Sequence, residues 1–340
     1  ISLIKKIISL NRRKIMHTNA IMVHKLGGPE EMIWEKIEVA SPKENEVLIR
    51  QTAIGLNFID TYFRSGLYPT PLPTPIGMGA AGVIEETGPG VTEFKVGDRV
   101  AYASSPLGSY SEIRVFPINN LVKIPDDISD ELAAAIMLKG MTAEYLVRRT
   151  FKVESGQTVL FHAAAGGVGL IACQWLKSIG ANVIGTVGSS EKAELARANG
   201  CDHTILYKEE NFVEKVKEIT NGAGVPVVYD SVGKDTAIQG LDCLSTLGLL
   251  VIFGNSSGNA PAIEPGLLAT KGSLYVTRPT LFSYNNTREK LVESANHVFD
   301  MVRNGNISIK IGAKYDLKDA VQAHKDLEGR KTSGCILLMP

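Results

Sequence analysis

Short hydrophobic stretches alternate with polar, glycine-rich or proline-rich breaks over the first third of the chain. These stretches are rich in β-branched and aromatic residues. Short strands bounded by turn-forming residues are typical of an antiparallel sheet or barrel. The pattern therefore predicts a compact, mostly-β unit from residue 20 to about residue 124. Its predicted strands are residues 20–24, 46–54, 80–86, 99–103 and 111–115.

The pattern changes after residue 129, where nearly wholly apolar runs alternate with helical stretches. A helical segment at 129–149 opens this part with acidic residues, which suit the positive end of a helix dipole. Apolar strands that are joined by helices form a parallel sheet with right-handed crossovers. The sequence thus predicts an α/β, doubly wound nucleotide-binding domain. Its predicted strands are residues 158–163, 182–187, 204–206, 227–230, 249–253 and 273–277.

The C-terminal tail has two amphipathic helical patterns, at 287–303 and 317–327, followed by a closing strand at 335–339. We expect this tail to return to the first domain, which makes that domain discontinuous. The predicted divisions are an N-terminal extension at 1–15, a first domain at 16–140 and 281–340, and a nucleotide-binding domain at 141–280.

The strongest chemical signal is a glycine-rich turn between the first strand of the second domain and the helix after it. It has the form A-x-G-x-x-G, with Ala164 in the first glycine position. Gly166 lets the backbone approach a pyrophosphate, and Gly169 lets helix and strand pack closely. The helix N-terminus adds N–H donors and positive dipole. We therefore predict that Gly166, Gly167, Val168 and Gly169 bind a dinucleotide.

The end of the next strand indicates which dinucleotide is bound. An NAD enzyme places an acidic residue there, about 20 residues after the turn. This chain instead has Gly188, Ser189, Ser190, Glu191 and Lys192, whose hydroxyl and ammonium groups can receive a phosphate. The pattern favours NADPH. The alternative is that Ser190 only caps the helix and Lys192 is solvated, while Glu191 would repel a phosphate if it turned inward.

Charge and cysteine usage exclude several classes of partner. Lys plus Arg and Asp plus Glu both number 36, so there is no global basic surface for nucleic acid or membrane. The apolar runs are far shorter than the roughly 18 residues of a membrane span. The cysteines lack a C-x-x-C pair, which fits a reducing compartment and gives no zinc-ligand spacing. We expect a cytoplasmic protein. The cysteines are Cys173, Cys201, Cys243 and Cys335.

Residues 1–15 are basic and contain no acidic residue. A transit peptide has this character, and so does translated upstream sequence, an appendage or a solvated tail. Because Met16 stands just before the first strand-like segment, we favour an extension without function.

Several segments combine with the glycine-rich turn into a more specific pattern. They are GLNFIDTY at 55–62, RSGLYP at 64–69, LKGMTA at 138–143, VYDSVG at 228–233, FGNSSG at 253–258 and KGSLYVTRP at 271–279. Together they resemble the quinone oxidoreductases, zinc-free relatives of zeta-crystallin in the medium-chain dehydrogenase/reductase superfamily. The resemblance runs from about residue 23 to the C-terminus.

This resemblance implies a GroES-like, mostly-β catalytic domain, a Rossmann domain, NADPH in the cleft between them, and a homodimer joined through the edges of the Rossmann sheets. It also implies that Asn57 and Tyr62 line the nicotinamide end of the cofactor, and that Lys192, Tyr207 and Arg330 hold its 2′-phosphate and adenine end. The other cofactor-binding residues that it implies are Phe58, Thr142, Tyr145, Gly188, Ser189, Ser231, Phe253, Gly254, Asn255, Ser256, Arg278, Pro279 and Thr280.

The chemistry of these residue types supports the implied roles, and alternatives remain. Asn and Tyr orient carbonyl groups by hydrogen bonds, while Lys and Arg suit phosphate. Tyr62 and Tyr68 can equally be packing residues, and Arg278 an interface or ion-pair residue. We interpret His162 as a core histidine with satisfied hydrogen bonds, not as a catalyst.

The expected chemistry uses no metal. Zinc dehydrogenases of this superfamily need Cys and His ligands, and their G-x-E motif reads Gly77-Met78-Gly79 here, with Gly79 in place of the acid. Without a Lewis acid, an alcohol is a poor hydride donor. A quinone already accepts electrons readily and needs mainly positioning. We predict NADPH-dependent quinone reduction, with Asn57, Tyr62 and Tyr68 orienting the substrate. The alternatives are reduction of α,β-unsaturated carbonyls and, against the neutral charge, a crystallin-like or RNA-binding role.

Overall fold

The computed structural model describes residues 16–340, so the predicted extension at 1–15 lies outside the described residues. The chain forms two compact units. The first contains the described residues up to Leu138 together with Ala313–Thr332 and Ile336–Pro340. The second contains Lys139–Gly312 and Ser333–Cys335.

This division differs from the predicted one mainly at residues 281–312, which belong to the second unit, as do residues 139–140 and 333–335. The reason is visible in the contacts of this segment. Ser294 donates a hydrogen bond to buried Glu144 (2.9 Å), and Arg149 donates to the carbonyl of Tyr284 (3.0 Å). These bonds attach the segment to the same unit as the predicted nucleotide-binding strands.

Antiparallel strands dominate the first unit. Strand β1 (Met16–Val23) pairs along its length with β2 (Met32–Val39), and β3 (Glu46–Leu56) pairs with three later strands. All five predicted strands of this part overlap observed ones, whereas β2 was not predicted. The remaining elements are α1 (Phe58–Ser65), β4 (Thr74–Pro75), β5 (Gly79–Thr87), β6 (Arg99–Ala103), β7 (Ile113–Pro117), β8 (Val122–Lys123) and α2 (Asp130–Tyr145), which runs into the second unit.

The second unit is built on a six-stranded parallel sheet in the order β11-β10-β9-β12-β13-β14. This order is that of a doubly wound dinucleotide-binding fold, so the predicted fold class is confirmed. The strands are β9 (Thr158–Phe161), β10 (Asn182–Val187), β11 (His203–Leu206), β12 (Val225–Asp230), β13 (Leu244–Ile252) and β14 (Tyr275–Thr277). The helices are α3 (Gly167–Ile179), α4 (Ser190–Ala198), α5 (Phe212–Ile219), α6 (Ala237–Gly240), α7 (Pro265–Thr270), α8 (Leu281–Tyr284) and α9 (Arg288–Arg303).

The tail adds β15 (Ile311–Asp316), α10 (Ala320–Glu328) and β16 (Cys335–Met339). Strand β16 pairs antiparallel with β3, with Ile336 opposite Leu56. The resulting sheet has the order β15-β16-β3-β5-β6-β8, and β7 also pairs with β3. In the part of the chain from residue 16 onward, no helix has the length and apolar character to cross a membrane.

Candidate active site

The glycine-rich turn connects β9 to α3. Ala163 adopts a left-handed conformation (φ 55°), and its carbonyl accepts a hydrogen bond from the N–H of Gly166 (2.9 Å). Gly166 is the N-cap of α3 in an extended conformation. The N–H groups of a first helical turn have no partner within the helix. The turn therefore presents backbone donors at the positive end of the α3 dipole, as an anion site requires.

The small residues of the turn are required by close backbone contacts. A Cβ on Gly169 would lie 2.4 Å from the carbonyl oxygen of Ala163, a distance that real atoms do not adopt. A Cβ on Gly185 of β10 would lie 2.6 Å from the Cβ of Ala164. Alanine therefore fits at the first glycine position because the neighbouring strand has a glycine opposite it.

The region after β10 contains four of the predicted cofactor-binding residues, namely Gly188, Ser189, Lys192 and Tyr207. Ser189 is the N-cap of α4, and its Oγ accepts a hydrogen bond from the N–H of Lys192 (3.3 Å). This corrects the alternative in which Ser190 caps the helix, because Ser190 is already the first helical residue. The Tyr207 hydroxyl lies 3.1 Å from where a Cβ on Gly188 would be. Strand β10 ends at Val187, with no carboxylate there.

The loop after β12 is held by Asp230, a buried residue that sequence reasoning missed. Its carboxylate accepts hydrogen bonds from the N–H groups of Val232 (2.7 Å) and Gly233 (3.0 Å) and from the Thr236 hydroxyl (2.7 Å). The N–H of Ser256 donates to the carbonyl of Ser231 (3.1 Å). The structure thus brings predicted Ser231 close to predicted Phe253, Gly254, Asn255 and Ser256. The sequence did contain a signal for Asp230, because an acidic residue stands at the carboxyl end of the apolar strand β12.

His162 lies inside the second unit and does not reach solvent. Its Nδ1 is 2.9 Å from the Thr186 hydroxyl, and its ring packs edge-on against Phe212. Burial lowers the pKa of His162, an effect that nearby Asp230 opposes. Nε2 has no hydrogen-bond partner among the protein atoms of residues 16–340. His162 is therefore a buried histidine with one ring nitrogen paired to a protein group.

The other predicted residues of the second unit lie on α2 and after β14. Tyr145 is buried and stacks on Tyr284, with ring centroids 4.5 Å apart. Thr142 precedes it by one turn on α2 and is also buried. Arg278 donates a hydrogen bond to the carbonyl of Pro279 (3.0 Å), and Thr280 caps α8.

In the first unit, Asn57 is the N-cap of α1 and is buried. Its Nδ2 donates to the carbonyl of Gly55 (2.9 Å), and its backbone N–H donates to Asp60 (2.9 Å). Asn57 therefore has a structural role beside the predicted substrate contact.

An aromatic cluster follows Asn57. Tyr62 packs against Phe58 at 5.8 Å and against Tyr68 at 5.1 Å between ring centroids. This contact supports the packing interpretation of Tyr62 and Tyr68. Tyr62 on α1 and Tyr68 after its C-terminus carry hydroxyl groups, and Asn57 at its N-terminus carries an amide, which are groups that can bond a carbonyl substrate.

Arg330 follows the C-terminus of α10 in the first unit. It adopts a left-handed conformation (φ 57°), and its N–H donates to the carbonyl of Leu327 (3.1 Å) while that of Lys331 donates to Asp326 (3.0 Å). These two bonds form a Schellman motif, in which this position usually holds glycine.

The potential metal ligands are dispersed. Within residues 16–340, no three His, Cys, Asp or Glu side chains are grouped so that they could hold a metal ion. The thiols of Cys173 and Cys201 are in contact (Sγ to Sγ 3.4 Å). The hydrogen bond with Cys201, and to a smaller extent burial, raises the pKa of Cys173. A Cβ on Gly79 would lie 3.7 Å from Nδ2 of Asn57, so the position of the missing acid borders the Asn57 amide.

Comparison with known proteins supplies the family. Residues 43–126 match the model of the alcohol dehydrogenase GroES-like domain, and residues 167–302 match that of the zinc-binding dehydrogenase domain. A quinone oxidoreductase of Pseudomonas aeruginosa is 53% identical over 92% of this chain and 97% of its own length. The chain belongs to the quinone oxidoreductase family. This places it among the oxidoreductases of the medium-chain dehydrogenase/reductase superfamily, as predicted.

Other members of this set define its range. The crystal structure of Escherichia coli quinone oxidoreductase complexed with NADPH has a TM-score of 0.93 and 50% identity, covering 95% of this chain and all of that one. A 2-haloacrylate reductase from Burkholderia is 47% identical over 94% of this chain and 98% of its own length. The GroES-like and Rossmann architecture is therefore confirmed, whereas the family contains more than one type of reductase.

Proposed function

We propose that this enzyme is a metal-free, NADPH-dependent reductase of small quinones. The observation that carries the proposal is the turn from Ala163 to Gly169. It offers backbone donors at a helix N-terminus after the first strand of a doubly wound sheet, and a Cβ at Gly169 would collide with the backbone of this turn. The E. coli relative that shares this fold was solved with NADPH.

The choice of NADPH over NADH is supported by charge. Strand β10 ends without a carboxylate, so nothing there recognises a ribose 2′-hydroxyl as an NAD enzyme does. Lys192 and Arg330 are the cations proposed to hold the 2′-phosphate, and Tyr207 is proposed to lie against the adenine. Arginine in a position that favours glycine also suggests that its side chain is needed there.

The proposal of metal-free chemistry is supported by the donor set. Gly79 provides no ligand where the zinc enzymes of the superfamily have an acid, and no grouped ligands occur among residues 16–340. Without a Lewis acid an alcohol is a poor hydride donor, whereas a quinone is already electron-poor. NADPH supplies the hydride or equivalent electrons when it is bound.

The chain's own contribution is binding and orientation. Asn57, Tyr62 and Tyr68 are proposed to hold the substrate carbonyl oxygens by hydrogen bonds, which lowers the entropic cost of reaching the reactive arrangement. Phe58 and Tyr62 add an aromatic surface on which a quinone ring can pack. Neither Tyr62 nor Tyr68 is assigned as the proton donor, because solvent can serve equally.

One assay tests the proposal. Purified enzyme is mixed with NADPH or NADH, and oxidation is followed with no acceptor, with a small quinone, and with a small enone. We expect rapid oxidation only with NADPH and quinone. Equal rates with and without quinone would refute quinone reduction. Faster oxidation with the enone would favour the alternative that the 2-haloacrylate reductase relative supports.

A homodimer is also proposed, formed through the edge strand of the parallel sheet. Leu247 (61% exposed) and Tyr275 (60% exposed) lie on β13 and β14 at this edge. Large apolar side chains with this exposure on an edge strand are typical of an interface. Light scattering on the purified protein tests this oligomeric state. The cytoplasmic location stays a prediction.

A further inference from the structure

A chain of buried polar groups lies behind α1 in the first unit. Arg64 Nη1 is 2.9 Å from Nδ1 of His324, and Nε2 of His324 is 3.0 Å from the hydroxyl of Tyr110. The Tyr110 hydroxyl is in turn 3.0 Å from Oδ2 of Asp60. Asp60, Tyr110 and His324 are fully buried, and Arg64 is 2% exposed. Glu328 closes the other end with two bonds to Arg64, at 2.7 and 2.9 Å.

The order of donors along this chain is fixed by chemistry. An arginine side chain only donates hydrogen bonds, so Nδ1 of His324 is an acceptor. A neutral imidazole then carries its hydrogen on Nε2, which donates to the Tyr110 oxygen. Tyr110 is left to donate its own hydrogen to Asp60. The direction therefore runs from Arg64 through His324 and Tyr110 to the Asp60 carboxylate.

The protonation states agree with this order. Burial, followed by the charge of Arg64, lowers the pKa of His324 to about 3. Burial, followed by the charge of Asp60, raises the pKa of Tyr110 well above its usual value. His324 and Tyr110 are therefore both neutral near pH 7. Because arginine does not give up its proton, the chain fixes geometry and does not conduct protons.

This series of hydrogen bonds ends beside the residues that are proposed to bind substrate. Oδ2 of Asp60, which receives the Tyr110 hydroxyl, also accepts the backbone N–H of Asn57 (2.9 Å). Asn57 begins α1, which carries Phe58 and Tyr62. The orientation of Asp60 thus determines where α1 begins.

We propose that Tyr110 and His324 are positioning residues that hold Asp60, and through it Asn57 and the first turn of α1, in the arrangement that orients the substrate. This inference rests on the proposed function, because it requires that Asn57 and Tyr62 contact substrate. Neither Tyr110 nor His324 is proposed to touch it.

Tyr110→Phe is the test, with Tyr102→Phe as the matched control. Both tyrosines are fully buried in the same core, and the Tyr102 hydroxyl donates to Gln51 instead of the chain. Tyr110→Phe removes two buried hydrogen bonds, of which only the one to Asp60 leads to Asn57. Loss of one buried hydrogen bond corresponds to about a tenfold change in an equilibrium or rate constant. We expect Tyr110→Phe to lower kcat/KM for quinone about tenfold, chiefly through KM. NADPH affinity should stay within about twofold, and Tyr102→Phe should keep kcat/KM within about twofold despite a similar loss of thermal stability.

Equal kinetic losses in both variants, or none in Tyr110→Phe, would overturn the positioning role. A substrate-independent measurement accompanies the kinetics: the nitrogen-15 shifts of the His324 ring. We expect the neutral tautomer with its hydrogen on Nε2 at pH 7. Hydrogen on Nδ1, or a protonated ring, would overturn the donor order. If the unmodified enzyme reduces only enones, the kinetic comparison uses an enone. If it reduces neither class, the proposed function and the positioning role both fail, whatever the tautomer.

Discussion

Replacement of Arg330 by glycine separates backbone strain from cofactor recognition. Arg330 occupies the left-handed position of the Schellman motif that ends α10, with φ 57°. Glycine adopts this conformation without the steric contact between Cβ and backbone that an arginine has. The same substitution removes the guanidinium proposed to bind the 2′-phosphate. We therefore expect stability and NADPH binding to change in opposite directions.

The two magnitudes follow from the geometry. A left-handed conformation costs an L-residue roughly 1–2 kcal/mol, and the substitution by glycine removes this cost. The greater entropy of glycine in the unfolded chain offsets part of the resulting gain in stability. We expect Arg330→Gly to raise the free energy of unfolding by up to about 1 kcal/mol. A hydrogen bond to a charged group contributes about 1.5–3 kcal/mol, which corresponds to a roughly 10- to 100-fold weaker affinity for NADPH. NADH lacks the 2′-phosphate, so its affinity should change less than about twofold.

Fluorescence titration with each dinucleotide and thermal unfolding measure these two effects. Arg330→Ala is the control, because alanine loses the guanidinium but keeps the Cβ in the left-handed conformation. It should weaken NADPH binding like glycine without the gain in stability. If Arg330→Gly binds NADPH as tightly as the unmodified enzyme, the assignment of Arg330 to the phosphate is refuted. If alanine and glycine are equally stable, the strain argument is refuted.

Three other predictions concern different parts of the fold. Gly169→Ala should abolish measurable NADPH binding and lower the melting temperature, since its Cβ would lie 2.4 Å from a backbone oxygen; Gly266→Ala, whose Cβ would meet nothing within 4 Å, should do neither. Lys192→Gln should weaken NADPH about tenfold in a titration and leave NADH unchanged, and an equal effect on both would exclude a phosphate contact. Because the pKa of His324 is lowered to about 3, the unfolded state binds more protons as pH falls from 6.5. The contribution of His324 should thus lower the free energy of unfolding by about 2 kcal/mol between pH 6.5 and 4.5, and urea unfolding of His324→Gln should show a flatter pH dependence.

The sequence was sufficient for the parts of the fold that rest on local patterns. The elements β9, α3 and β10 are recognisable because short, nearly wholly apolar runs are typical of strands that are buried on both faces, and a glycine-rich turn separates the first strand from the helix. Strand β2 was missed for the opposite reason. Its Ile33 and Trp34 are exposed, so its hydrophobic residues do not alternate with polar ones as in a strand with one buried face.

Contacts between distant parts of the chain were not predictable in this way. Arg64 and His324 are 260 residues apart, and nothing local to either position indicates the other. The assignment of residues 281–312 to the second unit depends on Glu144 and Arg149, which look like ordinary surface charges of a helix. Ser189 and Ser190 are equally good caps by residue type, and only the backbone decides between them.

The contact between Ala164 and Gly185 has a consequence for comparing members of this family. The usual fingerprint places its first glycine where this enzyme has a methyl group, and β10 compensates by omitting one directly opposite. The turn at Ala164 and strand β10 at Gly185 therefore have room between them for a single methyl group, and in this enzyme the turn carries it. Ala164 and Gly185 should therefore be compared with the fingerprint as a pair, because an alanine at the first glycine position fits only when the facing position on β10 is glycine.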